Sequence, residues 1–265
     1  MIFLGYISAV FIGMLIGLIG GGGASLTVCV LVYLFHLSPV LATAYSLFTV
    51  GVVSFIGMIS YIKNKQVDYK TILFFGIPAL TGTFFARNTI LPLMPDLIIN
   101  TEAVVLSKNM GIMILFSLMV VTAAIVMIFV KTKEGYRELN KYRYSLLIAQ
   151  GVTVGLLTGL AGVGGGFLII PAMVFLAKLP MKKAVGTTLV IVTIKSLIGF
   201  MGDLNNHVSM NWAFLFVFTV IAIIGIFIGI FVSNYISGTR LKLFFGWFLL
   251  VLGFFILVQE MLNLN

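Results

Sequence analysis

The chain has 265 residues, of which 61% are hydrophobic and only 9% charged, with a mean hydropathy of +1.22. A soluble domain of this length needs about a quarter of its residues charged to cover its surface, so soluble classes are excluded. The net charge of +9 is not a nucleic-acid patch, because the cations sit in short connections between apolar runs: Lys63, Lys65 and Lys70; Lys131, Lys133, Arg137, Lys141 and Arg143; Lys178, Lys182 and Lys183; Arg240 and Lys242. That is the pattern of cytoplasmic loops that hold a membrane topology in place.

Apolar segments fall at about 2–35, 39–62, 70–87, 110–130, 144–177, 183–203, 211–234 and 238–262. The first lacks a basic flank and a small-residue cleavage site, so it reads as a retained membrane segment. It also holds Cys29, the single cysteine, which leaves no disulfide framework and no cysteine metal cluster. Six segments have the length of ordinary spans, about 20 residues. The first and fifth run to about 33 residues, roughly 50 Å as one helix at 1.5 Å per residue. Each is interrupted, by Gly20–Gly23 and by Gly162-Val163-Gly164-Gly165-Gly166. Glycine costs a helix about 1 kcal/mol apiece against alanine, so both segments are expected to break there.

The breaks mark an internal duplication. Ile19–Leu47 lies over Ala161–Leu189 without a gap, matching Gly20, Gly22, Gly23, Leu26, Val32, Leu34, Leu37, Ala42 and Leu47 to identical residues. Ser54, Ile56 and Gly57 then fall on Ser196, Ile198 and Gly199. Residues 1–130 form the first repeat, 131–143 a basic cytoplasmic linker and 144–265 the second repeat. If each broken segment crossed once, half of the basic clusters would lie on the wrong side. If each enters and returns as a re-entrant or paired helix, all four clusters are cytoplasmic. Three ordinary spans per half then remain, and an odd number inverts one half against the other. The expected fold is therefore all-α, a polytopic transmembrane bundle of two inverted-topology repeats, each opening with a glycine-broken helix.

A helix restarting after a break presents unpaired N–H groups and a positive dipole end, which within a membrane suits an anion. Gly21, Gly22, Gly23, Ala24 and Ser25, with Gly164, Gly165 and Gly166, are candidate anion cradles; the alternative is that the glycines only let helices pack closely. Lys195 lies inside a run that is otherwise uncharged until Asp203. An ionisable group at that depth costs at least about 2.5–3.5 kcal/mol, which points to a function unless the side chain snorkels. Thr188, Lys195, Gly199 and Gly202 share a helical face, with counterparts Ser46, Val53, Gly57 and Ser60. The substrate-site candidates are completed by the hydroxyls of Ser46, Thr187 and Thr188. Asp203 and His207, with Asn205 and Asn206, are a candidate proton relay or simply a solvated turn. No Walker loop, zincin helix, paired intramembrane aspartates or Gly-x-Ser-x-Gly occurs, so ATP-driven pumping and intramembrane hydrolysis lack their usual parts.

Two stretches carry a resemblance: Leu18–Leu26 around the first break, and Gly159-Leu160-Ala161-Gly162-Val163-Gly164-Gly165-Gly166-Phe167-Leu168-Ile169-Ile170-Pro171 around the second. Each is followed by an Ala-x-x-(Ser/Thr)-Leu helix, Ala42–Leu47 and Ala184–Leu189. With the step Lys65-Gln66-Val67-Asp68-Tyr69, these resemble the TauE/SafE family of anion permeases; Cys29 stands where Pro171 falls in the second copy. The resemblance implies a plasma-membrane permease for sulfite, sulfonates or related sulfur-containing anions, with no cofactor. The expected activity is gradient-driven transport with proton or other ion coupling, the partners being the lipid bilayer and a small anion. An anion channel with the same site and a membrane-embedded protein without transport are the alternatives.

Overall fold

The computed structural model describes residues 2–21, 23–90, 93–95, 97–101, 104–130, 141–161, 166–204 and 210–262. The helices in chain order are α1 (Ile2–Ile19), α2 (Gly23–Tyr33), α3 (Pro39–Lys63), α4 (Tyr69–Ile90), α5 (Lys108–Phe129), α6 (Lys141–Ala161), α7 (Gly166–Leu176), α8 (Met181–Leu204), α9 (Trp212–Tyr235) and α10 (Gly238–Leu262). Pro39 opens α3, where a missing N–H is harmless. Asp68 and Asn211 cap α4 and α9 through their side-chain oxygens. Helix α4 includes two π-helical stretches, Ile72–Gly76 and Ala86–Ile90, and α7 ends in a third, Ala172–Leu176, following Pro171. Between α4 and α5 lies a small antiparallel β-hairpin, β1 (Leu97–Thr101) with β2 (Val104–Ser107). It is an addition to an otherwise helical bundle.

Six of the described helices are long and apolar enough to cross a membrane, and they are the six segments expected to do so: Leu41–Lys63, Tyr69–Ile90, Met110–Phe129, Met181–Asp203, Trp212–Tyr235 and Gly238–Gln259. Their outward faces are apolar, with Phe216, Phe227, Phe231, Val251 and Phe254 all exposed on α9 and α10. Such a surface suits lipid and not water.

The first broken segment doubles back. Gly20 and Gly21 take positive φ (68° and 105°), which glycine adopts at no steric cost. A Cβ on Gly23 would lie 2.6 Å from the Ile16 side chain and 3.1 Å from the Ile12 carbonyl oxygen, so α2 returns alongside α1. At the far end Phe35 packs on Gly5, its ring 5.7 Å from that of Tyr6. The second segment returns in the same way. The ring of Phe74, near the start of α4, lies 4.4 Å from that of Tyr144 at the start of α6, tilted by 45°, while Phe175 at the end of α7 lies under Lys242. The Lys242 ammonium also donates to the Val130 carbonyl, Lys182 donates to Asn234 O at 3.4 Å, and Gly186 packs on Gln66 and Tyr61. These contacts gather the clusters Lys63–Lys70, Lys178–Lys183 and Arg240–Lys242 at one end of the bundle. A single crossing of the broken segments is incompatible with that arrangement.

Helix contacts recur between the two halves, with α1 and α6 offset by 142 positions and α4 and α9 by 143. Gly13 of α1 packs on the carbonyl of Ala222 of α9, and Gly155 of α6 packs on that of Ala79 of α4. Gly17 meets Ile226 O as Gly159 meets Thr83 O, and Gly225 meets Val10 O as Gly82 meets Val152 O. A methyl group at any of these would meet backbone, so small residues here let two helices run in parallel contact. Helices α3 and α8, which carry the matched sequences, pack antiparallel: Leu47 faces Gly199, Phe48 faces Phe200, and Gly57 faces Leu189.

Candidate functional site

The two glycine breaks meet. A Cβ on Gly166 would lie 2.5 Å from the Gly21 carbonyl oxygen, and one on Gly21 would lie 2.9 Å from Val192 of α8. Gly23, Ala24 and Ser25 form the first turn of α2, beside this contact. Gly22, Gly164, Gly165 and His207 lie outside the described residues. The backbones of Gly21 and Gly166 are in direct contact.

Open space lies one helix away. A cavity of about 320 Å³ is bounded by Leu47 of α3, Leu80, Thr83, Phe84 and Asn88 of α4, Thr158 of α6, and Lys195, Ile198, Gly199, Gly202 and Asp203 of α8. It lies toward the end of the bundle opposite the basic loops. Lys195 is half-buried, and its ammonium donates to Thr158 Oγ1 at 2.7 Å. Thr158 Oγ1 donates to Gly155 O at 3.1 Å, and Thr83 Oγ1 donates to Ala79 O at 2.8 Å, with the two hydroxyls 3.4 Å apart. One cation, one carboxylate, two threonine hydroxyls and an amide thus line a small cavity otherwise walled by apolar side chains and glycines, the composition of a small-solute site.

The matching positions of the other half carry different side chains. Where Thr83, Thr158, Lys195, Gly202 and Asp203 stand, the other half has Ile226, Ile16, Val53, Ser60 and Tyr61. The Ile226 side chain fills the space in front of Gly57, the counterpart of Gly199. Tyr61 is buried, its hydroxyl donating to Gly17 O at 3.0 Å and lying 3.3 Å from Ser233 Oγ. Short polar residues thus line the cavity where the matching positions hold isoleucine and tyrosine.

Of the residues singled out from sequence, Lys195, Gly199, Gly202 and Asp203 line this cavity. Thr187 is buried, and its hydroxyl accepts the Asp68 backbone N–H at 3.0 Å, joining α8 to the start of α4. Thr188 is fully buried, and its hydroxyl makes no hydrogen bond among the described residues; Ser46 is buried on α3. Ser54 and Ser196 were singled out only as matches within the duplication. Both are fully buried with hydroxyls that find no partner among the described residues. Each such orphan costs about 1–3 kcal/mol, and the cost recurs at equivalent positions of both halves. Thr83, Thr158 and Asn88 carried one sequence signal: two of them are polar where the other copy has isoleucine.

Comparison with known proteins agrees with this architecture. The pattern of the sulfite exporter TauE/SafE family matches residues 6–259. The chain belongs to that family. A "probable membrane transporter protein" of Xylella fastidiosa is 24% identical over 262 residues, covering 96% of this chain and 94% of the relative. One from Methanocaldococcus jannaschii is 25% identical over 94% of each chain. YunE of Bacillus subtilis, also a probable membrane transporter protein, is 30% identical over 79% of this chain and 81% of its own. No solved structure matches. The TauE/SafE chain is thus a multi-pass membrane protein of a transporter family and not an enzyme, as its sequence led us to expect.

Proposed function

We propose that this TauE/SafE protein is a secondary transporter for small sulfur-containing anions such as sulfite or organosulfonates, driven by an ion gradient through alternating access. The observation that carries the reading is Lys195, a cation held by Thr158 on the wall of a small cavity inside a helical membrane bundle. A cation is costly there, and an anionic solute both repays that cost and accounts for the surrounding hydroxyls. The positive first turns of α2 and α7, meeting at Gly21 and Gly166, add dipoles of the same sign.

Residues 1–130 and 144–265 act as inverted repeats. The antiparallel packing of α3 on α8, and the exchange of the α1–α9 contacts for the α6–α4 contacts, support this reading. The basic end faces the cytoplasm. The cavity then opens outward, while Tyr61, Ile226 and Ile16 close the equivalent path inward. Rocking one repeat against the other would exchange the open and closed halves.

Counterflow tests the carrier reading. Proteoliposomes loaded with unlabelled sulfite should take up labelled sulfite transiently above equilibrium. Labelled uptake that is indifferent to the internal anion, or that never saturates, would reveal a channel instead.

A further inference from the structure

The cap of α4 carries more charge than its structural duty requires. Asp68 Oδ1 accepts the N–H groups of Lys70 (3.1 Å) and Thr71 (3.4 Å), and its own N–H donates to the Thr187 hydroxyl of α8 at 3.0 Å. Its offset counterpart Asn211 does the same for α9. Asn211 Oδ1 accepts Phe214 N–H at 3.1 Å, and its N–H donates to the Tyr45 hydroxyl of α3 at 2.6 Å. Thr187 and Tyr45 are themselves counterparts, so one motif occurs twice. Asn and Asp cap helices about equally well, and the motif is complete with a neutral amide.

The burial of the two copies runs against stability. Asn211 is exposed, whereas Asp68 is only 7% exposed. The ionisable side chain thus occupies the buried copy, where its second oxygen, Oδ2, has no partner. The titratable groups on the surrounding elements are Lys65 and Lys70 of its own turn, Tyr61 and Lys63 at the end of α3, and Lys182 and Lys183 of α8, and no hydrogen bond from any of these side chains to Asp68 Oδ2 occurs among the described residues. A buried carboxylate that is neither paired nor fully hydrogen-bonded is expensive. The Thr71 hydroxyl, one turn along α4 and fully buried, is likewise unpartnered, as are Gln150 Oε1 of α6 and the Thr188 hydroxyl of α8. These helices pack on one another around the start of α4: Gly151 meets Phe75 O, and Gly76 meets Ile191. The unpartnered atoms are all oxygens, and one belongs to a carboxylate. That is ligand chemistry for a cation.

We infer that Asp68, with Thr71, binds a monovalent cation, H⁺ or Na⁺, and that this is the coupling site of the transporter. The coupling role rests on the transport reading above; the binding itself does not. Occupancy neutralises the carboxylate at the junction of α4 and α8, the helix that carries Lys195 two turns beyond Thr187. The state of the cation site therefore bears on two of the helices that wall the anion cavity.

Asp68→Asn keeps the cap and removes the charge. The binding test is thermal unfolding of the purified full chain in detergent, titrated with NaCl against choline chloride at fixed pH, and separately across pH without Na⁺. The wild type should gain several degrees with one of the two cations at about ten times its dissociation constant, as a ligand selective for the folded state must give. Asp68→Asn should show no such gain. A wild type indifferent to both cations, or a variant that responds as the wild type does, overturns the site. In proteoliposomes Asp68→Asn should retain anion exchange while losing gradient-driven accumulation at least tenfold. Loss of exchange and accumulation together, or retention of both, overturns the coupling role.

Discussion

Replacing Lys195 by methionine separates the charge from the shape. Methionine matches the lysine stem closely in length and volume, so the walls contributed by Ile198, Gly199 and Leu47 should hold. The variant loses the ammonium that donates to Thr158 Oγ1 at 2.7 Å and, in the proposed complex, to the anion. Hydrogen bonds to charged groups contribute about 1.5–3 kcal/mol net. At about 1.4 kcal/mol per factor of ten, loss of one such bond to the substrate raises the apparent KM roughly 10- to 150-fold. Expression and thermal stability should not fall, because a charge no longer has to be held away from water. The assay is concentration-dependent uptake of labelled anion into proteoliposomes, with protein content measured in the same vesicles. Unchanged KM and maximal rate in a well-inserted variant would remove Lys195 from the transport path and refute the reasoning.

Two further substitutions follow from the comparison of the halves. Thr83→Ile installs the residue that fills the equivalent space as Ile226, so it should close the cavity, and anion uptake should fall at least tenfold without loss of thermal stability; normal uptake would mean that the cavity is not on the path. Gly166→Ala places a methyl group 2.5 Å from Gly21 O, so it should lower the unfolding midpoint by several degrees, corresponding to about 1–3 kcal/mol of overpacking, and slow transport; a variant equal to the wild type in both would show that the two breaks have room to separate.

The architecture was legible where it rests on local chemistry. Consecutive glycines cannot continue a helix cheaply, and the chain reverses at Gly20 and Gly21. Loop charge selected the hairpin form of the broken segments, and the structure brings the described basic clusters to one end. The polar face Lys195, Gly199 and Gly202 lies along one cavity because residues three, four and seven apart share a helix face. What the sequence did not disclose depends on contacts between distant segments. Thr83 and Thr158 are 75 positions apart and meet only because Gly82, Gly155 and Gly159 let α4 and α6 touch. Thr187 and Thr188 look alike in sequence, yet Thr187 accepts a hydrogen bond from Asp68 while the Thr188 hydroxyl has no partner, since neighbours on a helix point about 100° apart. The direct contact of Gly21 with Gly166 was equally invisible, because it depends on how two distant segments pack together.

The most direct test of the account is uptake of labelled sulfite, taurine and sulfate into proteoliposomes containing the full chain, with and without imposed H⁺ and Na⁺ gradients. The account predicts saturable uptake of at least one of the sulfur-containing anions, accelerated by one gradient and abolished when that gradient is dissipated. Absence of flux of every anion under all conditions, in vesicles shown to contain folded protein, would contradict it.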